Sequence, residues 1–186
     1  MAEFKSFDPA VQVAGEVVNA FREGFPQEVR GFGTSILEKY GIHEARPGEF
    51  YPVQALLDAM KKVSEDLGAQ MLYRIGYQIA TNAILPPGID SLEKCLQSID
   101  LAYHMNHRNG EIGRYEFVPG ETERFLRRIK MVCNNPYPRS FDVGVIEGFA
   151  MRFKPPDCVD VLVRHDETGP CRKKGGEYCT YIVSWA

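Results

Sequence analysis

The sequence predicts an α+β protein in which N-terminal helices precede an antiparallel sheet backed by further helices. Apolar residues recur at helical spacing as far as about residue 107, and the spacing changes to the two-residue period of strands from residue 111. Turns rich in glycine and proline then separate the later segments. Helices, a hairpin, a helix and a second hairpin, in that order, are typical of an antiparallel sheet with helices packed on it.

The N-terminal half is predicted to be helical. Asp8 is the expected N-cap of the first helix, and Pro52 is expected to begin the third. The five predicted helical segments are 8–24, 35–40, 52–68, 69–85 and 92–107. We expect residues 1–50 to form a helical extension and residues 51–186 to form the main domain.

The C-terminal half is predicted to form two hairpins around one helix. The predicted strands are 111–118, 123–133, 159–164 and 178–185. Pro119-Gly120 is expected to join the first two strands, and a glycine-rich turn lies between the last two. The helix between the hairpins is predicted over 142–153, and Pro155-Pro156 ends it.

Size and composition limit the classes of function. A chain of 186 residues with 44% hydrophobic residues suits one domain with a real core. Its 22 basic and 25 acidic residues give a formal charge of -3, so we do not expect a dedicated nucleic-acid binder. No signal peptide and no membrane-spanning stretch is expected. Five cysteines, an odd number, fit a reducing compartment, so we expect a cytoplasmic protein.

The most specific motif is the C-x3-G-x3-C sequence from Cys171 to Cys179. Gly175 and Gly176 permit the positive φ of a tight reversal, so the two thiols can face each other from the arms of a hairpin. Two such sulfurs can take two positions of a tetrahedral zinc site or close a disulfide. The basic residues 172–174 are expected at a solvated hairpin tip, with an anionic ligand or partner as the alternative.

This hairpin, with the apolar strand that follows it, resembles the 4-vinyl reductase-type domain of aromatic-sensing bacterial activators and bacteriochlorophyll-pathway proteins. That domain shares its fold with vesicle-tethering TRAPP subunits. The small-residue segments Gly68–Ala83 and Gly144–Ala150 are also similar to helices of the family, and the resemblance covers about the last two thirds of the chain. It implies a small-molecule sensor in which cysteines and one glutamate hold a structural zinc.

The zinc ligands implied by this resemblance are matched only in part. Cys171 and Cys179 fit, but Thr168 stands three residues before Cys171 and Glu167 lies one further back. The upstream cysteine of the family is replaced by Pro-Arg-Ser at 138–140. The remaining candidate ligands are Cys133, Cys158 and His165. Because Cys171 and Cys179 match, zinc is the first cofactor to consider.

The segment from Asp100 to His107 carries a second resemblance, to the haem-dependent gas sensors called H-NOX domains. Those domains place a haem-ligating histidine a few residues after an aspartate, and here Asp100 is followed by Tyr103 and His104. The resemblance implies haem on His104 or His107 as an alternative cofactor. The Tyr-x-Ser-x-Arg motif that holds haem propionates is replaced by Tyr-Pro-Arg-Ser at 137–140, where the order differs.

Aromatic residues from four predicted elements indicate an apolar pocket with a few polar groups, although ordinary core packing is the alternative. The candidate ligand-binding residues are Tyr73, Tyr77, Tyr103, His104, Tyr115, Phe117, Phe149 and Phe153. We expect an apolar or aromatic small molecule as the ligand. The Asn134–Arg139 loop, with prolines on both sides of Tyr137, is expected to be a stiff and exposed connection.

The favoured hypothesis is therefore a ligand-binding regulatory domain that acts as a homodimer or through a partner protein. An enzyme or accessory factor acting on a tetrapyrrole or aromatic compound is a second hypothesis, with His104, His107, Glu147 and Tyr103 as acid–base candidates. The chain has no nucleotide-binding loop and no nucleophile elbow, so catalysis is the less favoured interpretation. A protein-interaction scaffold with a vestigial pocket is the third.

Overall fold

A computed structural model describes residues 3–118 and 127–186 and confirms the predicted α+β class. The elements are, in chain order, β1 (Gln12–Ala14), α1 (Gly15–Glu23), α2 (Arg30–Lys39), β2 (Phe50–Pro52), α3 (Val53–Leu67), α4 (Ala69–Asn82), α5 (Leu92–Met105), β3 (His107–Arg108), β4 (Arg114–Val118), β5 (Arg128–Asn134), α6 (Arg139–Arg152), β6 (Val161–His165) and β7 (Cys179–Trp185). The predicted Pro119-Gly120 turn and the start of the strand predicted from Glu123 lie outside the described residues.

Four strands form the main sheet, in the order β4-β5-β7-β6, and every neighbouring pair is antiparallel. Along β5 the side chains of Ile129, Met131 and Cys133 are buried, while the residues between them are only partly buried. This two-residue alternation places one face of the sheet against the helices. Cys133 stands opposite Cys179 in the β5–β7 register, so the cysteine hairpin enters the sheet at its centre.

The helix predicted from Asp8 does not begin there. The Asp8 side chain accepts a hydrogen bond from the backbone N–H of Ala10 at 2.7 Å, which closes a local turn. The chain then forms β1, which pairs with β2 and β3 in a small three-stranded sheet, and α1 starts only at Gly15. Val11 and Val13 are buried, and β-branched residues pack well in such strands.

Helices α4 and α6 cross with their backbones in contact. A Cβ atom added at Gly144 would lie 2.1 Å from the carbonyl oxygen of Tyr73, and one added at Gly76 would lie 2.5 Å from that of Phe141. These glycines belong to the two small-residue segments singled out in the sequence. The crossing holds α6 in the middle of the molecule, where residues on all its sides are buried.

The N-terminal segment shares one hydrophobic core with the rest of the chain. Phe21 and Phe25 are fully buried with their ring centroids 5.4 Å apart, and Gly24 lies against Ile75 of α4. The division into an extension and a main domain at residue 50 stays a prediction. Within the described ranges, no helix has the length and apolar character needed to cross a membrane.

Candidate functional site

Helices α1, α4, α5 and α6 and strand β4 line an apolar cleft of about 140 Å³ that is open to solvent, called here the aromatic cleft. Its walls are Val17, Ile79, Ala83, Ile99, Ala102, Tyr103, Asn106, His107, Tyr115, Tyr137, Phe141, Val145 and Phe149. Phe141, Val145 and Phe149 recur every four residues along α6, so one face of that helix forms a wall.

Tyr103 stands at the centre of the aromatic side chains in the cleft. Its ring centroid lies 4.2 Å from that of His107, 5.3 Å from that of Tyr115 and 6.3 Å from that of Tyr137. The rings of Tyr115 and Tyr137 meet it nearly edge to face, an arrangement that aromatic quadrupoles favour. The Tyr103 hydroxyl donates to the carbonyl of Ile112, and burial raises the pKa of Tyr103.

His107 follows α5 and is buried with both ring nitrogens in hydrogen bonds. Nδ1 lies 2.8 Å from the carbonyl oxygen of Tyr103, and Nε2 lies 2.7 Å from the hydroxyl of Tyr137. Because a carbonyl only accepts, Nδ1 carries the proton and Nε2 accepts from Tyr137. Burial lowers the pKa of His107 to about 4, so the imidazole is neutral at pH 7.

A buried ion pair lies behind the cleft, between Asp142 of α6 and Arg172 of the cysteine hairpin. The Arg172 guanidinium is 2.7 Å from Asp142, and both side chains are fully buried. Asp142 also accepts from Tyr115 at 2.6 Å, from Tyr181 at 3.2 Å and from Asn135 at 3.3 Å. Burial raises the pKa of Asp142 to about 6, although Arg172 and these donors oppose the rise.

The expectation of a solvated tip at residues 172–174 is wrong for Arg172, which is 1% exposed, and holds for Lys173 and Lys174. The hairpin turns Arg172 inward because Asp142 lies on a separate helix that faces the sheet. A tertiary partner of this kind leaves no local signal in the sequence, since residues 142 and 172 are far apart along the chain.

The Asn134–Arg139 loop is also buried where exposure was expected. Asn135 and Tyr137 are 0% and 2% exposed, and the Asn135 side chain accepts from the backbone N–H of Tyr137 at 3.0 Å. Arg172 donates to the same Asn135 oxygen at 3.1 Å. The loop therefore links His107 to the cysteine hairpin through Tyr137, Asn135 and Arg172.

Three of the eight candidate ligand-binding residues, Tyr103, Tyr115 and Phe149, line the aromatic cleft. The other five candidates, placed elsewhere by the structure, are Tyr73, Tyr77, His104, Phe117 and Phe153. His104 lies on the exposed side of α5, where Nδ1 is 2.9 Å from the carbonyl oxygen of Asp100. Tyr73 donates to Glu147 at 2.5 Å, and Tyr77 lies beside Tyr73. Tyr137, Phe141 and Val145 were missed, although the four-residue spacing on α6 was a usable signal for the last two.

A second candidate site, called here the thiol cluster, consists of His165, Cys171 and Cys179. One ligand atom from each residue lies within 4.8 Å of the other two. Both cysteines are buried free thiols, and the backbone N–H of Arg172 donates to the Cys179 sulfur at 3.4 Å. The His165 side chain is only 6% exposed and its ring nitrogens form no hydrogen bond, although Glu167 lies 3.2 Å from Nδ1.

Cys133 and Cys158, the other candidate ligands, are not part of the thiol cluster. Cys133 faces Cys179 across the sheet, and Cys158 accepts from Arg127 at 2.9 Å. The cluster therefore supplies three of the four ligands of a structural zinc site. The Glu167 carboxylate lies 3.2 Å from His165 Nδ1 but is not one of these three ligands, and it binds Arg139 at 2.9 Å.

A larger pocket of about 470 Å³ lies at the start of α6, and it is the less convincing ligand site. The arginine of this pocket, Arg139, is already bound by carboxylates of the chain. Glu3 accepts from the backbone N–H of Arg139 at 3.0 Å, and Glu167 binds the Arg139 guanidinium. We therefore place the candidate ligand site in the smaller aromatic cleft, where apolar walls from several elements converge.

No protein-family model matches the sequence, and no curated protein matches it. Among solved structures, the chain is similar to an H-NOX protein from S. oneidensis in the Fe(II)NO ligation state, with a TM-score of 0.69, 14% identity and coverage of 93% of this chain and 99% of that one. A Cs H-NOX mutant carrying 4-cyano-L-phenylalanine aligns with a TM-score of 0.62 and 19% identity over 92% of this chain and 93% of that one.

A third similar structure comes from work on haem redox potential and porphyrin distortion, with a TM-score of 0.60 and 18% identity over 92% of this chain and 99% of that one. These likenesses confirm the predicted H-NOX-like fold. The 4-vinyl reductase-type resemblance stays a prediction.

The described residues do not fit haem. The aromatic cleft holds about 140 Å³, less than the roughly 300 Å³ at which pockets for drug-sized ligands begin, and haem is larger still. His107 has no free nitrogen, because Tyr137 occupies Nε2 and the carbonyl of Tyr103 occupies Nδ1. His104 has its imidazole about half exposed, outside the cleft.

Proposed function

We propose that this chain is a small-molecule-sensing domain whose ligand occupies the aromatic cleft. The observation that carries the proposal is the hydrogen-bonded path from the cleft to the cysteine hairpin. Tyr137 contacts His107 in the cleft wall, and Asn135 joins Tyr137 to Arg172. A ligand that moves Tyr137 would therefore disturb a buried charged network, and such a network has few alternative arrangements.

We also propose that the thiol cluster holds zinc. Two thiolates and one imidazole are ligands that zinc prefers, and the Glu167 carboxylate, 3.2 Å from His165, would have to move towards the two sulfurs to supply the fourth. The backbone N–H that donates to Cys179 would stabilise the negative sulfur of the bound form. Zinc would then fix the position of Arg172, the neighbour of Cys171, and so the inner end of the path to the cleft.

Native mass spectrometry of freshly purified protein, compared with its denatured mass, tests both parts. We expect a retained small molecule and one zinc, with loss of the zinc in Cys171→Ser and in His165→Ala. Cys95→Ser is the matched control, because Cys95 is a buried thiol of α5 outside the thiol cluster.

The two parts of the proposal fail separately. A folded, metal-free wild type after purification without chelators would remove the zinc site. A protein that retains no small molecule and shows no thermal shift with any apolar compound would favour the scaffold hypothesis over sensing.

A further inference from the structure

The larger pocket, of about 470 Å³, lies where helices α4 and α6 both begin. Ala69 and Gln70 of α4 and Arg139 and Ser140 of α6 are among its walls. The first backbone N–H groups of a helix have no acceptor within the helix. Within the described residues, neither N-cap residue supplies a side-chain acceptor for them. Two helix N-termini that face one pocket attract an anion to it.

A carboxylate of the chain itself occupies one of these two helix N-termini. Glu3 accepts a hydrogen bond from the backbone N–H of Arg139 at 3.0 Å, although the two residues are 136 positions apart. The residue before α6 is Pro138, whose side chain has no oxygen that could cap the helix. Glu3 therefore acts on α6 as a bound anion would, and it identifies a carboxylate as the group that the pocket accepts.

His165 adds a buried polar group to the wall of the pocket. Its side chain is only 6% exposed, and its ring nitrogens form no hydrogen bond with any described residue. A histidine that binds a metal through one ring nitrogen usually donates a hydrogen bond from the other. Zinc in the thiol cluster would therefore leave one nitrogen of His165 for an acceptor in the pocket, and a carboxylate is such an acceptor.

The formal charges of the pocket favour a ligand with a single negative charge. Arg139 and Lys173 are its cations, and Glu3 and Glu167 are its carboxylates. Because Glu167 is bound to the Arg139 guanidinium at 2.9 Å, the place that a free anion can take is that of Glu3. A monocarboxylate in that place keeps the charges balanced, whereas a second carboxylate would leave the pocket with a net negative charge.

The segment that carries Glu3, called here the strap, consists of residues 3–6 and is held in a strained conformation. The N–H of Phe4 donates to the carbonyl of Pro136 at 2.9 Å, and the Gln54 side chain donates to the carbonyl of Phe4 at 3.0 Å. Phe4 has a φ of 63°, in the left-handed region that bulky side chains rarely adopt. Such strain persists only while surrounding contacts hold it, so the loss of one contact favours release of the strap.

We propose that the larger pocket is a second ligand site, which takes a small monocarboxylate in exchange for the Glu3 side chain. Binding there releases the strap and its hydrogen bond to Pro136, the residue before Tyr137. The site is separate from the aromatic cleft, because Val143 of α6 lines the pocket and Val145 lines the cleft. It does not depend on the proposed sensing function.

Propionate, propionamide and malonate test the ligand class, with ligand-observed NMR as the readout and the ionic strength held constant. Propionamide has nearly the shape of propionate without its charge, and malonate carries a second carboxylate. We expect propionate to bind, and the other two to bind at least about tenfold more weakly.

Glu3→Gln tests the exchange between ligand and strap. The amide keeps the size of the side chain and removes its charge, so the tethered competitor is weakened. We expect propionate to bind this variant at least about tenfold more tightly than it binds the wild type. Glu38→Gln is the matched control, because Glu38 is exposed on α2 and does not line the pocket, and it should bind propionate as the wild type does.

Lys173→Gln tests the charge of the pocket in the Glu3→Gln background. The loss of a cation should weaken propionate binding at least about threefold. Lys39→Gln, which removes an exposed lysine of α2 outside the pocket, should leave the binding unchanged.

Hydrogen exchange of backbone amides measures release of the strap. The N–H groups of Phe4 and Ser6 donate to Pro136 and to the Gln54 side chain. We expect saturating propionate to raise their exchange rates at least about threefold. The N–H of Ala14, which donates to a carbonyl outside the strap, should exchange at an unchanged rate.

Three results would overturn the proposal. Propionamide that binds as tightly as propionate would remove the carboxylate class, and propionate that binds Glu3→Gln no more tightly than the wild type would remove the exchange. Propionate that binds without faster exchange in the strap would remove its release. If circular dichroism shows that Glu3→Gln is unfolded, Glu3→Asp takes its place, because the shorter side chain reaches the Arg139 N–H less well and should also strengthen propionate binding.

Discussion

At the scale of single residues, His107 illustrates how burial selects a protonation state. The carbonyl of Tyr103 requires a proton on Nδ1, and the Tyr137 hydroxyl then donates to Nε2. A second proton would break the bond from Tyr137 and place a charge in an apolar wall. For this reason burial lowers the pKa of His107 to about 4.

The lowered pKa makes stability depend on pH in a defined window. The unfolded chain protonates His107 near pH 6.5 and the folded chain only near pH 4, so the contribution of His107 to stability is fully present above pH 6.5 and is lost as the pH drops towards 4. We expect His107 to contribute a loss of ~2 kcal/mol in the free energy of unfolding between pH 7 and pH 5.

Urea unfolding at the two pH values measures this loss. In His107→Gln, the difference in unfolding free energy between pH 7 and pH 5 should be smaller by ~2 kcal/mol than in the wild type. In His104→Gln, which changes an exposed imidazole, this difference should equal that of the wild type. An equal pH dependence in wild type and His107→Gln would contradict the assignment of a neutral, buried His107.

At the scale of elements, the crossing of α4 and α6 positions both candidate sites. Gly76 and Gly144 let the two backbones touch, so that α6 presents Phe141, Val145 and Phe149 to the cleft. The same helix carries Asp142 to the Arg172 of the cysteine hairpin. The small-residue segments noted in the sequence therefore serve close packing of two helices.

Gly144→Ala is expected to destabilise the fold strongly. Its Cβ would meet the backbone carbonyl of Tyr73 at 2.1 Å, and a helix backbone cannot move aside as a side chain does. Overpacking of this kind typically costs about 1–3 kcal/mol, and we expect the upper end of that range or more. Thermal or urea unfolding measures the change.

Gly31→Ala is the matched control within a helix. Gly31 lies in α2 with no atom within 4 Å of its would-be Cβ, so alanine should stabilise by about 0.5–1 kcal/mol through its better helix propensity. If alanine changed the stability by a similar amount at Gly31 and at Gly144, helix propensity, and not the close crossing of α4 and α6, would explain the effect of Gly144→Ala.

At the scale of the whole molecule, the N-terminal segment is part of the structure that surrounds the cleft. Val17 of α1 is one of the cleft walls, and Phe21 packs in the same core as α4. Strand β1 also pairs with β3, which follows α5 directly. A ligand in the cleft would therefore contact both parts of the predicted two-part division.

The fragment 51–186 tests that division. We expect it to be unfolded or strongly destabilised, because removing residues 1–50 exposes the faces of α3 and α4 that pack against α2 and α1. Circular dichroism and the dispersion of amide NMR signals compare it with the full chain. A cooperatively unfolding fragment would support an N-terminal extension on an independent domain.

Light scattering on the full chain tests the predicted homodimer. The homodimer and the cytoplasmic location stay predictions.

The sequence by itself predicted most of the helices and the main-sheet strands, and it predicted the one motif whose residues are close along the chain. Helical periodicity placed α3, α4 and α5 nearly correctly, and the C-x3-G-x3-C spacing predicted two facing thiols. These features are local, because glycines, prolines and apolar spacing act within a few residues. Strand β1 was not predicted, since its pairing partners β2 and β3 are distant in the chain.

Only the tertiary structure decided which side chains meet. Arg172 resembles a surface residue until Asp142 is brought to it from α6, and Tyr137 sits in a proline-rich loop that is buried because Asn135 satisfies its backbone. His104 and His107 are indistinguishable by spacing, yet one is exposed and the other is in the cleft wall. The free energy of a buried polar group depends on its partners, and those partners come from elements that are far apart in sequence.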